Sequence, residues 1–215
     1  GNKAWGDQPP YLGLGRRAYA VRGSSVPLGN AGAGMGALAG ALKGGQGSAS
    51  IVSQDGFTVA ALVCVNSWGS TTMPGARAFW AHAFEIDEEF GGARPDQSAG
   101  VDAEDWSGAK VSAQPFANTT IACVATDADL TPAECKRMAQ MASAGLARAI
   151  RPVFAPFDGD VVYALATAQR ATPQPRALAV ARFGALAADC LTRAVARGVY
   201  EARSVGGHRA WCDVI

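Results

Sequence analysis

Residues 118–128, with the sequence NTTIACVATDA, decide the fold. The stretch opens with two hydroxyl side chains, and its apolar centre predicts a buried β-strand. Two strands are predicted before it, over 48–53 and 58–65, with the Asp-Gly pair at 55–56 as the hairpin turn between them. A further strand is predicted over 160–167.

Residues 131–150 give the strongest helix prediction. Thr131 is expected as the N-cap, Pro132 occupies the first helical position, and Glu134 completes a T-x-x-E capping box. A second long helix is predicted over 176–203. Strands and helices in this order predict an α/β fold with layered sheets and the helices outside.

Three segments have weaker patterns. Residues 1–30 contain prolines and glycines at irregular spacing and are predicted as a loop. Residues 30–47 are small and apolar and are predicted to contain a tightly packed helix before a glycine-rich turn. Residues 67–115 carry an acidic cluster over 85–89 and are predicted as a long surface excursion or flexible linker.

Composition restricts the class of protein. The chain has 215 residues, of which 49% are hydrophobic and 17% charged, so a single globular domain over 1–215 is expected. The net charge is +1 without a long basic run, which predicts no nucleic-acid partner. No apolar stretch is long enough to cross a bilayer, so no membrane partner is predicted. The five cysteines lack CxxC spacing, which favours free thiols in the cytoplasm and predicts neither a metal site nor a cofactor.

Four segments carry polar residues at the end of an apolar, strand-like run. They are LKGGQGSAS at 42–50, AALVCVN at 60–66, the opening stretch at 118–128, and PFDGDVVYALAT at 156–167. Strand ends are places where a rigid scaffold can hold reactive groups, so these polar side chains are expected to converge. A G-x-S-x-G nucleophile pattern is absent from the chain.

In this order the four segments resemble the self-processing peptidase family of L-aminopeptidase/D-esterases, β-peptidyl aminopeptidases and nylon-oligomer hydrolases. The resemblance runs from about residue 8 to the C-terminus and is weakest over 68–112. It implies a four-layer αββα sandwich of the N-terminal-nucleophile type and a homo-oligomer of four or more chains. Family precursors usually extend further before the point that corresponds to Gly1, so the chain is expected to be the later part of a longer precursor.

The resemblance also implies self-cleavage between Asn118 and Thr119, into fragments 1–118 and 119–215 that stay together as partners. Thr119 would then be the nucleophile, and its new α-amine, with a reference pKa of about 7.7–8.0, would serve as the base. Thr120 is expected to point to the opposite face of the strand.

The remaining site residues follow from the same resemblance. Lys43 is expected near Thr119, where its charge would lower the proton affinity of the α-amine; the alternative is a solvated lysine. Asn66 is expected to donate to a tetrahedral oxyanion, or else to end its strand in an Asx turn. Asp158 and Asp160 are expected to position Thr119 and to balance Lys43 as one charged unit, or else to form a polar turn.

The substrate expected from the resemblance is a small amide or peptide. An Asn-Thr junction resembles the nylon-oligomer hydrolases, whereas the aminopeptidase branch more often has Gly-Ser there and Ser-x-Glu where this chain has Asp158-Gly159-Asp160. Hydrolysis of linear amides such as 6-aminohexanoate oligomers is therefore expected. The alternatives are an L-aminopeptidase/D-esterase or β-peptidyl aminopeptidase, a self-cleaving acyltransferase, and a non-enzymatic binding relative of the same fold.

Overall fold

The protein is described by a computed structural model that covers residues 4–96, 101–102, 104–111 and 118–214. Short 3-10 helices occur at Gly32–Gly36, Trp80–Phe84 and Trp211–Asp213. The longer elements, in chain order, are α1 (Tyr11–Ala20), β1 (Leu38–Ala39), β2 (Leu42–Lys43), β3 (Gly45–Val52), β4 (Thr58–Asn66), β5 (Thr119–Ala128), α2 (Pro132–Ala149), β6 (Val161–Arg170) and α3 (Arg176–Tyr200).

A mixed four-stranded sheet lies at the centre, in the order β3-β4-β5-β6. Strand β4 pairs antiparallel with both β3 and β5, and β6 pairs parallel with β5 after a crossover through α2. The register sets Asn66, the last residue of β4, opposite Thr119, the first residue of β5. The hairpin and the strands predicted around 118–128 and 160–167 are confirmed, with bounds that differ by a few residues.

One face of the sheet is buried under α2 and α3. Alternate residues of β4, from Val59 to Val65, are buried in the same core as Leu146 of α2 and Leu191 of α3. Strand β3 approaches α3 so closely that a Cβ at Gly47 would lie 1.8 Å from the Ala194 carbonyl oxygen. The predicted α/β fold with helices outside the sheet is therefore confirmed.

Helix α2 begins as predicted. The Thr131 side chain accepts a hydrogen bond from the Glu134 backbone, the Glu134 carboxylate accepts from the Thr131 backbone, and Pro132 is the first helical residue. This reciprocal cap satisfies two backbone donors that a helix start otherwise leaves open.

The opposite face of the sheet carries exposed apolar side chains, among them Leu62, Ile121, Tyr163 and Leu165. Within the described residues there is one layer of sheet and one layer of helices, which are two of the four layers expected from the resemblance.

Two predictions for the first part of the chain were wrong. Residues 11–20 form α1 rather than loop, and residues 30–47 form a 3-10 turn and short strands rather than a helix. The glycines of the second segment explain the difference, because they allow backbone contacts that a side chain would block. A Cβ at Gly44 would lie 2.1 Å from the Val65 carbonyl oxygen, and one at Gly34 would lie 2.2 Å from that of Gly29.

The segment over 67–115 is more ordered than the sequence predicted, in the part that is described. Phe79 and Phe90 are buried, and Phe79 stacks on Trp211. The Glu85 carboxylate accepts hydrogen bonds from two backbone amides within its own loop, at 2.9 Å each. Glu89 pairs with Arg193 of α3. The acidic residues thus fasten this segment through hydrogen bonds and ion pairs that the sequence pattern does not reveal.

Candidate active site

The junction between Asn118 and Thr119 lies at the beginning of β5. Asn118 is buried, Thr119 is half-buried, and the Thr119 hydroxyl donates a hydrogen bond to the carbonyl oxygen of Asn118. The Gly159 backbone amide donates to the same carbonyl oxygen at 3.1 Å. The hydroxyl of Thr119 is therefore held against the carbonyl group before it, and that carbonyl already has a second donor.

Thr120 points the other way, as predicted. Its side chain is fully buried on the helix-covered face, and its hydroxyl has no hydrogen-bond partner among the described residues. The alternation of side chains along β5 separates the two threonines into different environments.

Asp158 and Asp160 lie on the chain just before β6, beside the junction. Asp158 accepts hydrogen bonds from the backbone amides of Trp68 and Gly159, both at 3.0 Å. Asp160 accepts from the backbone amide of Thr120 at 2.7 Å, and so fixes the residue that follows Thr119. Burial raises the pKa of Asp158, and the nearby Asp160 charge raises it further.

Asn66 and Lys110 are two further polar residues beside the junction. The Asn66 side-chain oxygen accepts from the Leu38 amide at 3.0 Å. The Lys110 ammonium lies 3.3 Å from both the backbone and the side-chain oxygen of Asn66, and donates to the Asn118 side-chain oxygen at 2.9 Å. Lys110 therefore joins the end of β4 to the residue that precedes Thr119.

Lys43 has another set of partners. Its fully buried ammonium donates to the carbonyl oxygens of Gly34, Ala37 and Gly44 at 2.5, 2.9 and 2.7 Å, and so uses all three of its N–H groups. Burial lowers the pKa of Lys43. These bonds fasten the glycine-rich segment to itself, and the expected effect of Lys43 on Thr119 stays a prediction.

Among the residues predicted from sequence, Asn118, Thr119, Asn66, Asp158 and Asp160 thus lie around one junction. Lys110 was missed. It is one of only four lysines in the chain, and it lies in the segment where the sequence pattern was least regular. The local sequence carried no signal for it, because its partners Asn66 and Asn118 lie 44 and 8 residues away along the chain, in other elements of the fold.

A cavity of about 330 Å³ lies next to the segment that carries Lys110. Gly108 and Ala109 line it, together with the aromatic side chains of Trp80, Trp106 and Trp211. Arg77 and Arg151 also line it, so the cavity combines apolar and cationic surface.

The described residues contain no group of three or more His, Cys, Asp or Glu side chains that could hold a metal ion. Among the same residues, no helix has the length and apolar character needed to cross a membrane.

Comparison with solved structures identifies the class of fold. A β-aminopeptidase from Burkholderia sp. superposes with a TM-score of 0.62 at 25% identity, over 91% of this chain and 53% of that one. An L-aminopeptidase D-Ala-esterase/amidase from Ochrobactrum anthropi, described as a variant of the Ntn hydrolase fold, superposes with a TM-score of 0.59 at 25% identity, over 89% of this chain and 50% of that one. The chain thus shares the fold of aminopeptidases of the Ntn hydrolase class.

Residues 15–211 match Peptidase family S58, and the chain belongs to this family. An uncharacterized aminopeptidase from Mycobacterium tuberculosis is 42% identical over 214 residues, which are 95% of this chain and 62% of the relative. One from Mycobacterium leprae is 42% identical over 203 residues, 89% of this chain and 54% of the relative. The chain therefore spans between 54% and 62% of the length of these relatives.

Proposed function

We propose that this chain is the catalytic part of a self-processing amide hydrolase of the aminopeptidase type, with Thr119 as its nucleophile. The observation that carries the proposal is the contact between the Thr119 hydroxyl and the Asn118 carbonyl, to which the Gly159 amide also donates. Hydroxyl, carbonyl and an oxyanion donor are the groups that acyl transfer to a side-chain oxygen requires.

Self-cleavage would proceed in two steps. The Thr119 oxygen attacks the Asn118 carbonyl carbon, the C–N bond breaks, and the hydroxyl proton ends on the departing Thr119 nitrogen. Water then adds to the resulting ester, and the C–O bond breaks to give an Asn118 carboxylate and a free Thr119 hydroxyl. The Gly159 N–H stabilises the oxyanion in both steps, because it already points at the carbonyl oxygen.

Cleavage creates the base that later turnover needs. The freed α-amine of Thr119 takes the proton of its own hydroxyl during attack on a substrate and returns it to the leaving amine. Asp160 holds the adjacent backbone through Thr120, and Asp158 lies beside it with a raised pKa. Asn66 supplies the amide expected at the substrate oxyanion, and Lys43 supports the glycine-rich segment beside β4.

The names of the relatives favour aminopeptidase action, that is, release of an N-terminal residue from a small peptide or amide. The cavity lined by Trp80, Trp106 and Trp211 could take the acyl chain, and most of its lining residues belong to the 67–115 segment. Nylon-type oligomers remain a second candidate, because the Asn118-Thr119 junction and the Asp158-Gly159-Asp160 sequence resemble that branch.

The rest of the proposal concerns the setting of the protein. The two fragments remain associated, since β5 lies between β4 and β6 in one sheet. The chain is proposed to assemble as a homo-oligomer, as the resemblance implies. The five cysteines are free thiols, which supports a reducing compartment such as the cytoplasm.

The nucleophile is tested by Thr119→Ala and Thr120→Val in the full chain. Thr119→Ala removes the hydroxyl and should abolish cleavage and hydrolysis. Thr120→Val is the matched control, because it replaces a buried hydroxyl without a described partner by a methyl group of similar size. N-terminal sequencing of the smaller fragment should begin Thr-Thr-Ile-Ala, and another start would reject Thr119.

Substrate class is tested with the cleaved protein on three amides: an L-amino acid anilide, a β-amino acid anilide and a 6-aminohexanoate oligomer. Hydrolysis of the first or second supports the aminopeptidase proposal. Hydrolysis of the oligomer alone would replace it by the second candidate.

A further inference from the structure

Lys110 contacts the proposed cleavage site, although the proposed reaction gives it no role. Its ammonium donates to the side-chain oxygen of Asn118 at 2.9 Å and lies 3.3 Å from two oxygens of Asn66. Its backbone amide donates to the Trp68 carbonyl at 3.0 Å, which fixes the lysine along the chain that continues β4. The side chain is thus held at both ends.

Both residues that Lys110 contacts through its side chain lie next to Thr119. Asn118 precedes Thr119 in the chain, and Asn66 faces Thr119 across the β4–β5 pair. Since the Asn118 side chain and its carbonyl belong to one residue, a bond to the side chain restricts the orientation of the carbonyl. A group that must meet a nucleophile within a fraction of an ångström gains rate from such restriction.

We propose that Lys110 is a positioning residue for self-cleavage, which holds Asn118 so that its carbonyl stays against the Thr119 hydroxyl. The proposal rests on the proposed function, because it assumes cleavage at this junction. The Asn118 carbonyl is the group attacked during self-cleavage and is not attacked again during later turnover. The effect of Lys110 through Asn118 is therefore greater on maturation than on turnover.

The electrostatic surroundings give the lysine a distinctive pH response. Burial lowers the pKa of Lys110 to about 8, against the opposing effect of the Asp158 and Asp160 carboxylates. These two aspartates are the titratable groups that act on its charge among the described residues. Above pH 8 the ammonium loses its charge and one donor, and its hold on Asn118 weakens.

The experiment measures the first-order rate of cleavage of freshly translated full chain on denaturing gels. Lys110→Met keeps an unbranched side chain as far as the ε position and removes every donor, so cleavage should slow at least tenfold. Lys110→Arg keeps charge and donors and should restore much of the rate. Lys136→Met, at an exposed lysine of α2, is the matched control and should cleave as the wild type does.

A double-mutant cycle tests whether Lys110 acts through Asn118. Asn118→Ala removes the acceptor of the 2.9 Å bond, and adding Lys110→Met to it should slow cleavage no further, because the same bond is already lost. If the rate losses of the two single variants multiply in the double variant, the proposal is overturned. Once Lys110→Met has matured, hydrolysis per cleaved chain should stay within about fivefold of wild type, and a loss equal to that of cleavage would assign Lys110 to turnover instead.

The pH profile keeps the test independent of whether Lys110→Met folds. Wild-type cleavage should decline as the pH rises through 8, and in Lys110→Arg this decline should move to higher pH. Identical profiles would refute the role of the charge. If wild type cleaves at Thr119 and Lys110→Met cleaves at the same rate, the Lys110 proposal fails and the proposed function stands. If wild type starts its small fragment elsewhere, the proposed function fails, and the Lys110 proposal with it.

Discussion

Gly159 is the position at which one added methyl group should separate folding from self-cleavage. A Cβ built on Gly159 would lie 2.8 Å from the Thr119 side-chain oxygen and 3.5 Å from the Asn118 carbonyl oxygen. Ordinary contacts between such atoms are near 3.5 Å, so the hydroxyl of Thr119 must move by roughly 0.7 Å or rotate away. Gly159→Ala keeps the backbone amide that donates to the Asn118 carbonyl. The substitution therefore moves the Thr119 hydroxyl without removing the hydrogen-bond donor to the carbonyl that it attacks.

The expected cost follows from this displacement. Adding a methylene group to a packed site costs about 1–3 kcal/mol, and each 1.4 kcal/mol is a factor of ten in rate. If the strain falls on the reacting geometry, cleavage of Gly159→Ala should slow by about 10- to 100-fold. The melting temperature should fall by only a few degrees, because Thr119 is half-buried and its side chain can rotate.

The assay follows the fraction of cleaved chain with time, alongside thermal melting of the same samples. Gly15→Ala is the matched control: it is a glycine in α1 at which a Cβ meets nothing within 4 Å, so cleavage should not change. Cleavage of folded Gly159→Ala within twofold of the wild-type rate would refute the close approach of Gly159 to the nucleophile.

Two predictions concern the aspartates. Asp160→Asn replaces the charged acceptor of the Thr120 amide by a neutral one. Hydrogen bonds to charged groups contribute about 1.5–3 kcal/mol and neutral ones about 1 kcal/mol, so self-cleavage should slow about tenfold. A cleavage rate within twofold of wild type would show that Asp160 does not position β5. The pKa of Asp158 is raised in the folded chain, so the folded chain holds the carboxyl proton up to a higher pH than the unfolded chain does. The free energy of unfolding should therefore fall as the pH rises from the ordinary carboxyl range through the native pKa. Asp158→Asn should flatten this fall in urea titrations at several pH values, and an unchanged slope would contradict it.

Much of the framework could be predicted from local sequence. The capping box at Thr131, the Asp55-Gly56 turn and the apolar runs of β4 and β5 depend on residues that are neighbours in the chain, so their signals survive in a sequence met alone. The resemblance, rather than the spacing, supplied Asn118-Thr119 as the junction.

The failures have a common physical cause. Residues 30–47 look like a helix of small side chains, yet their glycines allow close backbone contacts, of Gly44 with Val65 and of Gly34 with Gly29. The acidic residues at 85 and 89 look solvated, yet one binds two backbone amides and the other pairs with Arg193. In each case the partner lies outside the repeat of apolar and polar residues from which helices, strands and loops are predicted.

The candidate site divides in the same way. The sequence by itself determined which strand begins with a hydroxyl residue and that polar groups end the neighbouring strands. Only the tertiary structure decided that the Thr119 hydroxyl meets the Asn118 carbonyl, that Lys110 rather than Lys43 bonds to Asn118, and that Gly159 leaves room for the nucleophile. These contacts depend on how β4, β5 and the approach to β6 are placed side by side. That placement is set by the shared core and by strand register, and not by any one segment.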